Sequence, residues 1–416
     1  MRPRNMLFWA IPHGKMLIFK MPILMPRSSI KKITKSYFAR FVAWVLVHNF
    51  VDLLAMALPL RRTRSDRKRV LFVKLDGVGD YIIWTATFEA IKHKYPSSEF
   101  ERILVANERF REFADVDGTF DERLFVNVAR LASSPVYRFG VMRQVRGLGA
   151  AVIVNPRLTR DFLWGDSVVR CSGAKTRIGS EGIENLMSPF QERLSAKWYT
   201  ELKPSPERGI HELISNADFL GVEREGLIQP ETATTPFSSI NLPDKYLVVF
   251  VGAFSADKRW PLEHFAEAAK AIADEQKLNV VLCGGPGEEY LADEFGRHFA
   301  GEFTSLIGKT TLLELADVIR KATLTISNDT AAGHIAVAQR CPSVIVTPGN
   351  HVGRFFPYPD EETSKQISVL HEMPCFGCGW HCIYTDLAAN EAKPCIADVE
   401  VNDVVNAAKR LLAARG

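Results

Sequence analysis

Acidic residues are almost missing from the start of this 416-residue chain. Residues 1–69 hold fifteen Lys/Arg against only Asp52 and Asp66, a formal charge of +13. The other 347 residues carry 37 basic and 46 acidic side chains, a charge of −9, so the overall +4 hides a basic head on a mildly acidic body. Such a body is the wrong surface for nucleic acid, which is excluded as a partner. The head asks for something anionic, such as a phospholipid surface. Cysteine is scarce too: seven in the whole chain exclude a disulfide-dense secreted scaffold. No secretory signal is legible, because Lys15 and Lys20 interrupt the apolar stretches of residues 1–30 and no clean cleavage site follows. Short-period repeats and low-complexity tracts are also missing. What remains, 47% hydrophobic and 24% charged, is the composition of a globular protein with room for two ordinary domains and an appendage.

The appendage, residues 1–68, is apolar as well as basic. Residues 41–60 run twenty positions between Arg40 and Arg61 with Asp52 as the only formal charge, a length that reaches across a bilayer. His48, Asn49 and Asp52 near its middle would each be costly in hydrocarbon. A helix lying in the membrane interface is the better expectation, with Lys31, Lys32, Lys35, Arg40, Arg61, Arg62 and Arg64 near anionic headgroups. The competing reading is a helix packed on the body. Four of the cysteines cluster as Cys375-x2-Cys378-x3-Cys382-x12-Cys395, a spacing that suits a structural zinc; a thiol-rich loop is the alternative.

From Arg69 onward the pattern alternates strand and helix. RVLFVKL (69–75), ERILVAN (101–107) and AVIVN (151–155) read as buried strands, with a helix over about 80–94 ended by Pro96. Residues 223–244, rich in Pro, Thr, Ser and Glu, read as a linker. A second cycle follows: strands at 245–253, 279–285, 323–329 and 342–349, helices at 261–276 and 310–321, and an amphipathic terminal helix over 399–416. The expected fold is α/β, two Rossmann-like domains (69–222 and 245–398) facing each other across a cleft.

Three motif-like stretches carry no chemistry. Ile307-Gly308-Lys309-Thr310 lacks the earlier P-loop glycine, since Phe303 stands there. The third glycine slot after Gly77 and Gly79 holds Ile82, so a nicotinamide enzyme is not indicated. Asp115-Val116-Asp117, a pair some sugar transferases use for a divalent metal, precedes Gly118 in what reads as a solvated turn.

Other strand ends carry more. The turn Leu75-Asp76-Gly77-Val78-Gly79-Asp80 leaves the first strand; its glycines permit close approach of a substrate, and Asp80 at the helix start is either a general base or a cap. Residues 252–261 (GAFSADKRWP) put Lys258 and Arg259 before a helix N-terminus, a setting for a diphosphate, with Trp260 expected to pin the loop. Residues 327–334 (SNDTAAGH) and 284–289 (GGPGEE) are two more polar strand-end loops, and the three loops of this domain together predict a nucleotide site.

These stretches resemble glycosyltransferase family 9, the ADP-heptose:lipopolysaccharide heptosyltransferases. The resemblance spans residues 69–412 and rests on V-x-L-x-x-x-G-D, K-R-W-P, G-G-P-x-E-E and N-D-T-x-x-x-H in that order. The Cys375 to Cys395 cluster also looks like the cysteine-rich C-terminal segment of some members. It implies an inverting, metal-independent transferase of GT-B type that needs no cofactor, with the donor nucleotide on the second domain and the acceptor sugar on the first. Asp80 is then the catalytic aspartate, Lys258 the neutraliser of the donor diphosphate, and Glu288 the carboxylate near the ribose. Asp329, Thr330 and His334 form the donor loop, and Gly79 and Ser255 complete the substrate-binding set. The implied partners are ADP-heptose and a lipid-linked glycan at the cytoplasmic face of the inner membrane. Departures at Ala331, Ala253 and Phe254, where methyl or phenyl groups replace glycine or hydroxyls, bear on the donor's identity. Two other readings compete: a nucleotide-sugar-binding protein without catalysis, and a metal-dependent transferase using Asp115 and Asp117.

Overall fold

The structure is a computed structural model that describes residues 43–60, 65–183, 187–222, 229–360, 364–379, 381–384, 387 and 391–413. Residues 1–42, and with them Lys31, Lys32, Lys35 and Arg40, lie outside the described residues, as do Arg61, Arg62 and Arg64 and the start of the linker, 223–228.

Two six-stranded parallel sheets organise the chain. The first holds β1 (Lys68–Lys74), β2 (Phe100–Asn107), β3 (Glu122–Val126), β4 (Val152–Asn155), β5 (Thr176–Ser180) and β6 (Glu201–Lys203) in the order β3-β2-β1-β4-β5-β6. The second holds β7 (Tyr246–Phe250), β8 (Asn279–Cys283), β9 (Phe303–Ser305), β10 (Leu324–Asn328), β11 (Ser343–Val346) and β12 (Gln366–Val369). Its order, β9-β8-β7-β10-β11-β12, repeats the same pattern. This is the doubly wound order, which reverses direction between the first and fourth strands of each sheet. Central strands are covered on both faces, and β1 and β10 show it: all but Lys68 of β1 and all of β10 are buried. The expected helix over 80–94 is two helices, Val78–Thr85 and Phe88–Lys94. The hydroxyls of Thr85 and Thr87 bond back to the carbonyls of Ile82 and Trp84, each at 2.7 Å, and the helix breaks between them.

The compact units do not follow chain order. One comprises residues up to Leu75, Tyr95–Arg109 and Phe120–Ser205; the other gathers Asp76–Lys94 and Phe110–Thr119 with everything from Pro206 onward. The turn after β1 and the helix Val78–Thr85 therefore pack with the second sheet's unit, where the helix Ala331–Ala338 is their neighbour.

In the first unit, residues 43–57 form a helix laid on the body by its polar side. Asp52 and Arg138 are both fully buried and joined by two bonds of 2.7 Å, while Arg138 also donates to the Leu163 carbonyl at 2.6 Å. Asn49 accepts from Arg170 at 3.1 Å, and the Trp44 indole donates to the Ala132 carbonyl at 2.8 Å. Burial lowers the His48 imidazole below its usual range. The residues that argued against hydrocarbon are thus contacts to protein. Removing one partner of such a buried pair typically costs about 3–5 kcal/mol. Among the described residues, no helix is long and apolar enough to cross a membrane.

Candidate active site

The site is built at the carboxyl ends of β7, β8 and β10, beside the point where the second sheet reverses. After β7 the chain loops to the helix Leu262–Gln276. Trp260 is fully buried and its indole donates to the Val399 carbonyl at 3.0 Å, so the loop is pinned by burial as its sequence suggested. Asn328 does the rest. Its side-chain oxygen accepts the Trp260 backbone N–H at 2.9 Å, and its amide donates to the carbonyls of Val251 and Gly252, each at 3.2 Å. The end of β10 is stitched to both ends of the loop, and between them Ala256–Lys258 make one turn that carries Lys258, with Ser255 just before it. Asn328 is therefore not a cap; the N-cap position of the helix Ala331–Ala338 is Thr330, which makes no side-chain bond into that helix. The Thr330 hydroxyl lies 3.1 Å from the Ser327 hydroxyl instead.

Glu288 occupies the loop after β8. One carboxylate oxygen accepts the Gly285 N–H at 2.8 Å and the other lies 3.5 Å from Arg259, so the carboxylate expected near a ribose already bridges two loops. It presses on Gly252, where an added Cβ would stand 2.2 Å from it, so a larger residue there would have to displace the carboxylate.

Within the same unit, Asp80 opens the helix Val78–Thr85 and accepts the Gly77 N–H at 3.0 Å. The capping alternative is realised in this geometry, and it also orients the carboxylate. Gly79 also makes room for a protein neighbour: an added Cβ would stand 2.6 Å from the ring of His334. His334 is stacked on Phe356 with ring centroids 4.4 Å apart, and its Nδ1 lies 3.0 Å from the Tyr358 hydroxyl.

Charge is concentrated among these groups. Burial lowers Lys258 to about 8, offset in part by Asp257 and Asp329. Burial raises Asp329 to about 6, with Lys258 pulling down and Asp80 pushing up. Asp329 thus interacts electrostatically with both Lys258 and Asp80. Burial, assisted by His211, lowers His334 to about 3, leaving a neutral imidazole at physiological pH. His351, in the loop after β11, is lowered to about 3 by burial, with Arg354 and Lys258 adding to the shift. Neither His351 nor Tyr358 was singled out from sequence. Their one signal is position, since both follow β11, the neighbour of β10.

The other expectations resolve simply. Asp117 accepts the Thr119 N–H at 2.7 Å, the chemistry of a turn. Thr311 caps the helix Leu312–Lys321 in a capping box with Glu314, so the stretch from Ile307 is a helix start. The cysteines at 375, 378, 382 and 395 form no disulfide, and the Cys395 thiol takes a backbone bond from Gly349. Among the described residues no three His, Cys, Asp or Glu are arranged to hold a metal ion, so the structural zinc expected at these cysteines finds no support.

The family profile described as "Glycosyltransferase family 9 (heptosyltransferase)" matches residues 168–379, half of the chain. The chain belongs to glycosyltransferase family 9. This transferase is 26% identical over 294 residues to lipopolysaccharide heptosyltransferase 3 of Escherichia coli K12, an alignment covering 64% of this chain and 78% of that one. Among solved structures it is similar to a family 9 glycosyl transferase from Veillonella parvula, with a TM-score of 0.68 at 20% identity, covering 85% of this chain and all of that one. It is also similar to the E. coli heptosyltransferase WaaC with ADP, with a TM-score of 0.59 at 18% identity, covering 82% of this chain and 99% of that one. At these identities the solved structures speak for the fold, which is of GT-B type.

Proposed function

We propose that this glycosyltransferase moves heptose from ADP-heptose to a lipopolysaccharide core or another lipid-linked glycan, with inversion and without a metal ion. The donor nucleotide would lie over the carboxyl ends of the second sheet and the acceptor sugar over those of the first. Lys258 and the first-turn N–H groups of Ala331–Ala338 meet the diphosphate, with Ser255 and Thr330 supplying hydroxyls and Glu288 facing the ribose. The acceptor oxygen attacks the anomeric carbon, the bond from that carbon to the phosphate oxygen breaks, ADP leaves, and the hydroxyl proton passes to Asp80. His334 and Gly79 hold the turn that aims Asp80.

One observation carries this reading. A carboxylate at a helix start, Asp80, interacts electrostatically with Asp329, which in turn interacts with Lys258. The carboxylate proposed as base and the lysine proposed to meet the diphosphate belong to one unit. The donor and acceptor classes are proposed by similarity: one E. coli neighbour is an ADP-heptose lipopolysaccharide heptosyltransferase. The test is transfer from ADP-heptose to a lipopolysaccharide core acceptor, with the anomeric configuration of the product read by NMR. Inverted product supports the proposal; retained configuration, or ADP-heptose binding without transfer to any core acceptor, contradicts it. A different donor sugar is the second reading, favoured by Phe254, which is 69% exposed in the loop that carries Lys258.

A further inference from the structure

The helix over residues 43–57 is turned inside out. Its polar residues His48, Asn49 and Asp52 face protein, while Leu46, Val47, Phe50, Leu53 and Leu54, together with Leu58 just after it, form an exposed apolar stripe. The spacing, 46, 47, 50, 53, 54, 58, is that of one face of an α-helix, and none of those positions carries a charge. Leu46 is 63% and Phe50 65% exposed, where a helix packed for stability alone would show water its polar side.

We propose that this face docks on an anionic bilayer surface, lying in the interface with its apolar side chains among the acyl chains while the buried Asp52–Arg138 pair keeps the helix fastened to the first unit. The occupant is argued from charge. Nine Lys/Arg and no acidic residue precede the helix in residues 1–42, and Arg61, Arg62 and Arg64 follow it. An apolar face with basic flanks is the combination that anionic interfaces select, and neither part alone binds firmly. Arg143, donating to the carbonyls of Leu58 and Pro59 at 2.6 and 2.7 Å, adds a cation at the end of the stripe. The ion pair gives the docking a direction: the helix cannot sink into hydrocarbon without pulling Asp52 and Arg138 apart, so it holds the enzyme body at the surface. This inference stands apart from the identity of the donor and acceptor.

The test is co-sedimentation of the full chain with vesicles of phosphatidylcholine containing about 30% phosphatidylglycerol, and with pure phosphatidylcholine. The wild type should bind the anionic vesicles and lose most of that binding at high salt. Phe50→Glu with Leu54→Glu should weaken partitioning by about tenfold or more, while Phe50→Leu retains it. Both positions are exposed, so circular dichroism, the melting temperature and ADP binding should match wild type. A Leu54→Trp variant should show a blue-shifted emission on anionic vesicles. Unchanged partitioning of the double-Glu variant overturns the proposal. So does a concentration-dependent dimer in buffer that the same two substitutions abolish, which would assign the face to a second copy of the chain.

Discussion

The two sheets share one strand order, yet the carboxyl ends of their fourth strands hold different chemistry. Beyond β4 the ionisable groups bind one another and are sealed: Arg160 pairs with Asp166 at 2.8 Å and donates to Ser195 at 2.8 Å, and Tyr199 donates to Asp166 at 2.5 Å. Arg160, Asp166 and Ser195 are all 1% exposed or less. Beyond β10, in contrast, Asp329 and Thr330 are half-buried, as are Ser255 and Lys258 beyond β7 and Asp80 in the same unit. The doubly wound order decides where a ligand can approach; loop composition decides whether the groups there are sealed or left partly exposed.

That contrast can be broken at either end. The largest effect belongs to the sealed network. Arg160→Ala should cost about 3–5 kcal/mol of stability in denaturant unfolding, because it leaves Asp166 buried without its cation, while ADP affinity of the folded enzyme stays within twofold. Next is Lys258→Ala, the mirror image: calorimetry should show ADP affinity falling about 30–100-fold, or 2–3 kcal/mol, with stability within about 0.5 kcal/mol of wild type. If Lys258→Ala unfolds the protein instead, the lysine is structural and the contrast fails.

The smallest effect is in pH. Asp329, raised to about 6, gains its negative charge as pH climbs through that value, and Lys258, lowered to about 8, loses its positive charge above it. Both changes disfavour a bound diphosphate, so ADP affinity should decline from pH 6 to pH 9 by about tenfold, and Lys258→Arg should remove the upper limb of the decline.

Much of this was legible in the sequence because parallel strands covered on both faces read as apolar runs. β1, β2, β4, β7, β8, β10 and β11 all announced themselves. β3, β5, β6, β9 and β12 did not: β5 is short and largely polar (TRIGS), the other four are the edges of their sheets, and the burial of all five is incomplete. The strand-end loops with Asp80, Lys258, Glu288 and Asp329 were legible as motifs. Their stitching was not, since Asn328 holds Trp260 from 68 positions away and His334 meets Tyr358 from 24. Gly79 was legible as a site of close approach, but the imidazole it makes room for could be found only in three dimensions. The helix at 43–57 showed its conflict in sequence, polar residues inside an apolar run. Only the fold reveals that Arg138 is what resolves it.

The central claim is that Asp80 is the base and not only a cap. Asparagine can still accept the Gly77 N–H, so Asp80→Asn separates the two roles. The measurement is single-turnover transfer from saturating ADP-heptose, with donor affinity determined on the same samples. The account predicts donor affinity within about twofold of wild type and transfer slowed by about 100-fold or more; equal transfer rates in Asp80→Asn and wild type would contradict it.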